Sequence, residues 1–190
     1  MNLLPFPDAL TAFLHDAKGP LILHISDTVT ASYPYVKRLI DLVKPTLILH
    51  TGDMADELKA GRIAQHVHPY EQKVVQLLKI LKESGAEVWI VPGNNDLPYS
   101  LRDHCPFPIL APGTYREYHG ISMRLSHHPI VQEKKARFAI YGHNFSCDPH
   151  HPAENPKNGV IYLNGVFEWT VIDASNGKYF QITQKERKPL

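Results

Sequence analysis

The sequence predicts an α/β domain whose first half alternates strands with helices and whose second half is rich in β-structure. Three observations predict it. Between residues 20 and 93, short apolar runs of strand length alternate with segments of helical periodicity. Beyond residue 114 the periodicity falls to two, as in strands with one buried face. Each predicted strand also ends in a polar residue able to bind a metal, and ligands in open α/β sheets bind beyond the carboxyl ends of the strands.

The elements follow in order. "MNLLPFPDALTAFLHDAKG" lacks a basic start and is broken by Pro5, Pro7 and Asp8, so it reads as a short amphipathic helix rather than a signal peptide. "PLILHIS" (20–26) is a buried strand, and "YPYVKRLIDLVK" (33–44) carries Val36, Leu39, Ile40 and Val43 at helical spacing. "TLILHTG" (46–52) is a second strand. In "PYEQKVVQLLKILKES" (69–84), Val74, Leu77, Leu78 and Leu81 share one helical face, with Gly85 just past the end. "AEVWIVPG" (86–93) is a third strand, and this alternation implies parallel pairing. Then come a hairpin at 114–127 around His119–Gly120, a strand at 136–143, a polar loop at 144–159, and closing strands at 159–183 with a turn at Asn176–Gly177. The apolar "PFPIL" (106–110) fits core or surface. Without repeat or linker, residues 1–190 read as one domain.

Composition narrows the function. The chain has 190 residues, 43% hydrophobic and 21% charged, with a formal net charge of +1. Sequence-general nucleic-acid binding is disfavoured, since no excess of positive charge meets the phosphate backbone. No apolar run approaches membrane-spanning length. Cys105 and Cys147 form no CxxC pair and no disulfide framework, and the expected location is cytoplasmic. The 12 histidines are a surplus whose meaning depends on position.

Position is informative at the strand ends. "HISD" ends in Asp27, "HTGD" in Asp53, "PGNND" supplies Asn94 and Asp96, "RLSHH" His127, and "YGH" His143. Taken singly, an Asp after a strand is most often an Asx turn or helix cap, and a lone His a structural one. Those explanations would have to hold at every strand end together. Carboxylate, amide and imidazole donors form a mixed shell suited to Mn²⁺, Fe, Zn²⁺ or Ni²⁺. His24 and His50 lie inside strands and read as buried histidines with satisfied nitrogens. No G-x-G-x-x-G follows the first strand and no G-K-[ST] occurs, so dinucleotide and P-loop sites are excluded.

In order, "ILHISDT", "LHTGDMAD", "VPGNND", "LSHHP" and "IYGHN" resemble the motifs of the calcineurin-like metallophosphoesterases, in particular their compact bacterial and archaeal phosphodiesterases. The resemblance implies a sandwich of two mixed β-sheets flanked by helices, and metal-dependent hydrolysis of a phosphate ester. It makes Asp53 a ligand to two ions. One ion would take Asp53, Asn94, His127 and His143, a complete set, with Mn²⁺ the first choice. The other keeps only Asp27 and Asp53, because Val29 and Phe145 stand where the family has histidines, and its occupancy is expected to be weak or nil.

Asn95 also replaces a family histidine thought to protonate the leaving group, and general acid catalysis is worth ~10²–10⁴-fold. An amide can hold a phosphoryl oxygen but donates no proton at neutral pH. Asn95, Asp96 and His128 are the candidate catalytic residues, with His104, His150 and His151 as further imidazoles. Two readings follow. One is a working phosphatase or phosphodiesterase acting on a phosphate-ester substrate. The other is a family member binding one metal and a phosphate or nucleotide without turnover. They differ in whether a basic or imidazole side chain reoccupies the space beside Asp27.

Overall fold

A computed structural model describes residues 6–129, 136–144, 154–155 and 159–184. Two five-stranded sheets pack face to face. Strands β1 (Leu21–Ile25), β2 (Leu47–His50) and β3 (Glu87–Ile90) run parallel; β9 (Glu168–Asp173) joins β1 antiparallel and β10 (Tyr179–Thr183) closes that edge, giving the order β10-β9-β1-β2-β3. The second sheet has the order β4-β5-β6-β8-β7, from β4 (Thr114–Tyr118), β5 (Ile121–Leu125), β6 (Phe138–Tyr141), β7 (Glu154–Asn155) and β8 (Val160–Asn164). Both are mixed: β5, β6 and β8 are parallel, while β4 and β7 are antiparallel to their neighbours. The expected arrangement of two mixed sheets flanked by helices is the one observed.

Strand alternation divides the hydrophobic residues between two cores. Leu23 and Ile25 of β1 join Ile48, Val88 and Val171 against the helices α1 (Asp8–Asp16), α2 (Tyr33–Val43), α3 (Val67–Glu83) and α4 (Pro98–His104). Ile22, Leu47, Leu49 and Ile172 face the other way, onto Met123, Leu125, Phe138, Ile140 and Leu163 of the second sheet. The first strands are therefore buried on both faces, which is why they read as largely apolar runs broken only by His24 and His50 in β1 and β2.

The helix ends obey local rules. Pro34 sits in the first turn of α2, where its missing N–H costs nothing, and left-handed Lys44 stops the helix. Gly85, at φ 71°, follows α3 as expected. His119 and Gly120 have φ 47° and 80°, so both central residues of the β4–β5 hairpin turn carry the positive φ of a primed turn. The segment expected as one polar loop at 144–159 contains β7, paired antiparallel to β8. Helix α4 is too short to show a period in the sequence. "PFPIL" is divided: Leu110 is buried and Ile109 exposed. Among the described residues no helix is long and apolar enough to cross a membrane.

Leu77 is fully buried on α3, whereas Val75 on the same helix is 43% exposed. Leu77→Ala is expected to destabilise the fold by about 2–5 kcal/mol through lost burial and a residual cavity. Val75→Ala should cost under about 0.5 kcal/mol. Urea unfolding of the two variants checks the difference.

Candidate metal centre

Five side chains predicted as ligands meet just beyond the strand ends. Asp27 follows β1, Asp53 β2 and Asn94 β3; His127 follows β5 and His143 β6, so both sheets contribute. Asp27, Asp53, His127 and His143 each present a ligand atom within 4.8 Å of the others, and the first three are buried. Asn94 belongs with them, since its Oδ1 lies 3.0 Å from His127 Nε2. Asp27 is thus gathered into the same cluster as the set assigned to the other ion.

The loops that deliver these groups are under backbone strain. Asp27, Asp53 and His143 have φ values of 49°, 56° and 33°, three of the six non-glycine residues with positive φ among those described. A left-handed non-glycine residue costs about 1–2 kcal/mol, and such residues concentrate at functional sites. Neighbouring glycines make the close approach possible. A Cβ on Gly93 would stand 2.2 Å from Asp53 Oδ1, and one on Gly142 2.1 Å from Asp27 Oδ2. A side chain at either position would push a carboxylate out of place.

Hydrogen bonds orient the donors. His127 Nδ1 donates to the Thr51 carbonyl at 2.7 Å, which turns Nε2 inward to within 3.5 Å of Asp53 Oδ2. Asp53 Oδ1 accepts the Asn95 amide N–H at 2.8 Å, and its Oδ2 accepts Asn95 Nδ2 at 2.7 Å. Asp27 Oδ2 accepts Ser26 Oγ at 2.6 Å and the His143 N–H at 3.2 Å. The imidazoles of His127, His128 and His143 form a three-ring group with centroids 4.7–5.1 Å apart.

The charges follow this geometry. Burial works to raise the Asp53 pKa, but the His127 contact and the Asn95 amide outweigh it and hold the carboxyl well below the usual range. Burial works to lower His127, yet the Asp53 hydrogen bond and charge, with Asp27 adding to them, push it up to about 9. His143 and His128 are both lowered, by burial first and then by the charge on His127.

Each candidate catalytic residue has a definite place. Asn95 is buried, with its side-chain N–H groups donated to Asp53 Oδ2 and, at 2.9 Å, to Asp56 Oδ1. Asp96 is buried facing the loops: Oδ2 accepts the N–H of Asp53 (2.9 Å) and Gly93 (2.8 Å), and Oδ1 accepts Met54 N–H (2.9 Å) and the Tyr70 hydroxyl (2.8 Å). His128 is exposed at the rim of the ring group. His104 ends α4 on the surface, with no ring contact to this group. Phe145, His150 and His151 lie outside the described residues. Beside Asp27 stand the Ser26 hydroxyl and the His143 backbone.

His50 is satisfied as expected, accepting Gly52 N–H at Nδ1 and bonded to Thr28 Oγ1 at Nε2. His24 differs from the expectation: Nε2 meets Thr51 Oγ1 at 2.8 Å, but buried Nδ1 has no hydrogen-bond partner among the described residues. Sequence reasoning alone misses Ser26, Asp56 and Tyr70. A polar Ser26 inside an apolar strand is a usable signal for the first. Nothing in the helical period of α3 marks the hydroxyl of Tyr70.

Known proteins place this arrangement in a family. The family described as "Calcineurin-like phosphoesterase" matches residues 20–186. The DNA double-strand break repair protein Mre11 of Methanocaldococcus jannaschii is 33% identical over 79 residues, which are 40% of this chain and 19% of that protein. The chain therefore spans about a fifth of that relative. The solved structure of YfcE, a phosphoesterase from E. coli, superposes with a TM-score of 0.56 at 16% identity, over 86% of this chain and 98% of that one. With the match extending over nearly the whole sequence, this chain belongs to the calcineurin-like phosphoesterase family of metal-dependent phosphoester hydrolases.

Proposed function

We propose that this protein hydrolyses a phosphate ester with a divalent ion, Mn²⁺ by first choice, held by Asp27, Asp53, Asn94, His127 and His143. The convergence of these five donors from two sheets is the observation that carries the reading. The residues fit a metal: two carboxylates, an amide oxygen and two imidazoles make a mixed oxygen and nitrogen shell suited to Mn²⁺, Fe or Zn²⁺. An ion there supplies Lewis-acid polarisation of a phosphoryl oxygen and acidifies a water.

The chain's own residues set the rest. Asp96 holds the Asp53 loop in place, and Asn95 holds the Asp53 carboxylate. With both amide hydrogens engaged by Asp53 and Asp56, Asn95 has no free donor for a phosphoryl oxygen and no proton for a leaving group. Among the described residues, exposed His128 is the imidazole of the ring group that the ligand set leaves over for the phosphoryl group. Substrates whose leaving groups depart unprotonated, such as aryl esters and phosphodiesters of acidic alcohols, are therefore favoured. The same engagement of Asn95 supports a second reading, binding of one metal and a phosphorylated small ligand with little turnover.

Metal content and hydrolysis of an aryl phosphodiester, measured on one preparation, separate these readings. One or two tightly held Mn²⁺ ions per chain with turnover above background supports the enzyme; ions without turnover support the binding protein. Asp53→Asn should remove both bound metal and hydrolysis, and retention of either would sink the ligand assignment.

The His127 charge adds a pH dependence. Without metal His127 is protonated below pH about 9, and a ligand nitrogen must be neutral, so metal binding at pH 7 must release a proton. Apparent affinity should rise about tenfold per pH unit between 6 and 8 and level off near 9. Calorimetric titrations in two buffers of different ionisation enthalpy count the protons directly.

A further inference from the structure

The inner face of the first sheet is apolar over most of its height, through Ile22, Leu47, Leu49 and Ile172. Directly beneath the candidate metal centre it turns polar. His24 shares the inward face of β1 with Ile22, Ser26 follows β1 and Thr51 follows β2; all three are buried. A core row needs no hydroxyls or imidazole for packing, and buried polar groups cost free energy unless hydrogen-bonded. These polar groups bond toward the centre.

Ser26 Oγ donates to Asp27 Oδ2 at 2.6 Å. Thr51 acts at two points: its carbonyl accepts His127 Nδ1–H at 2.7 Å, and its hydroxyl is bonded to His24 Nε2 at 2.8 Å. The row is braced from behind. Gly165 packs so closely that a Cβ there would stand 2.7 Å from both His24 Cε1 and Ser26 Cβ. Gln184 Nε2 donates to the carbonyls of Ser26 (3.2 Å) and Gly165 (2.6 Å), and Trp169 Nε1 donates to the Ser26 carbonyl at 3.2 Å. Burial, with His50 nearby, pushes His24 down to about 3, so it is neutral and acts through its hydrogen bond.

We propose that Ser26 and the His24–Thr51 pair are positioning residues of the metal centre, Ser26 setting the rotation of the Asp27 carboxylate and His24–Thr51 the orientation of the His127 imidazole. The proposal rests on the metal reading above. Groups that orient metal ligands from behind are typically worth ~10–100-fold in metal affinity. Thr51→Val deletes the hydroxyl at nearly constant volume, whereas Thr51→Ser retains it; Ser26→Ala and His24→Gln address the other members.

The test is an absorption titration of the metal-free protein with Co²⁺, whose visible bands report both affinity and ligand geometry. Thr51→Val and Ser26→Ala are expected to raise the dissociation constant ~10-fold or more and to shift the bands. Thr51→Ser should stay within about threefold of the parent, with metal-free melting temperatures little changed. Parent-like affinity and spectra in Thr51→Val and Ser26→Ala would overturn the proposal while leaving the metal reading intact. Failure of the parent protein itself to bind Co²⁺ would overturn the metal reading. If Thr51→Val does not fold, Ser26→Ala and His24→Gln decide between the same outcomes.

Discussion

The centre depends on one buried carboxylate. Asp96 accepts hydrogen bonds from the backbone of Asp53, Met54 and Gly93 and from the Tyr70 hydroxyl, joining the loop after β2, the loop after β3 and helix α3 at a single point. Burial and the charge on Asp53 raise its pKa, and the N–H and hydroxyl donors offset only part of that cost. Hydrogen bonds to an ionised group contribute about 1.5–3 kcal/mol each. That junction fixes the backbone of Asp53 in its left-handed conformation, while Asn95 holds the carboxylate.

The strained strand ends follow from the same constraint. A strand continuing in extended conformation would send alternate side chains to opposite faces and deliver no convergent set. Left-handed residues at Asp27, Asp53 and His143 break that alternation at the place where chains from two sheets meet. The free energy stored there is drawn from two large hydrophobic cores that hold the strands in register. Function is carried by loops because the scaffold beneath them is rigid.

Asn95 shows how a motif position can keep its geometry while changing its chemistry. Its backbone and side chain together grip both oxygens of Asp53, and its second amide hydrogen reaches Asp56. Read in the sequence, an amide in place of an imidazole is a lost proton donor. In the fold it is a clamp on the fully buried Asp53 carboxylate. Which of these matters more depends on the leaving group of the substrate, a property of the ligand and not of the chain.

Much of this protein was legible in one dimension. Strands buried on both faces must be apolar throughout, helices packed on one side must be apolar every three or four residues, and a primed turn needs residues such as His119–Gly120 that accept positive φ. These are local requirements, so residues 20–125 display them openly. The candidate cluster was legible for a similar reason: a polar donor recurs at successive strand ends, and the glycine beside it cannot carry a Cβ. Tertiary structure alone decided what couples distant segments: that Asp27 enters the same cluster as His143, that Asp96 serves the loops, that Ser26 and Thr51 hydrogen-bond to Asp27 and His127, and that β7 interrupts a polar stretch to pair with β8. None of these leaves a periodic mark, because each is a contact between particular residues, made only once both sheets have closed around the site.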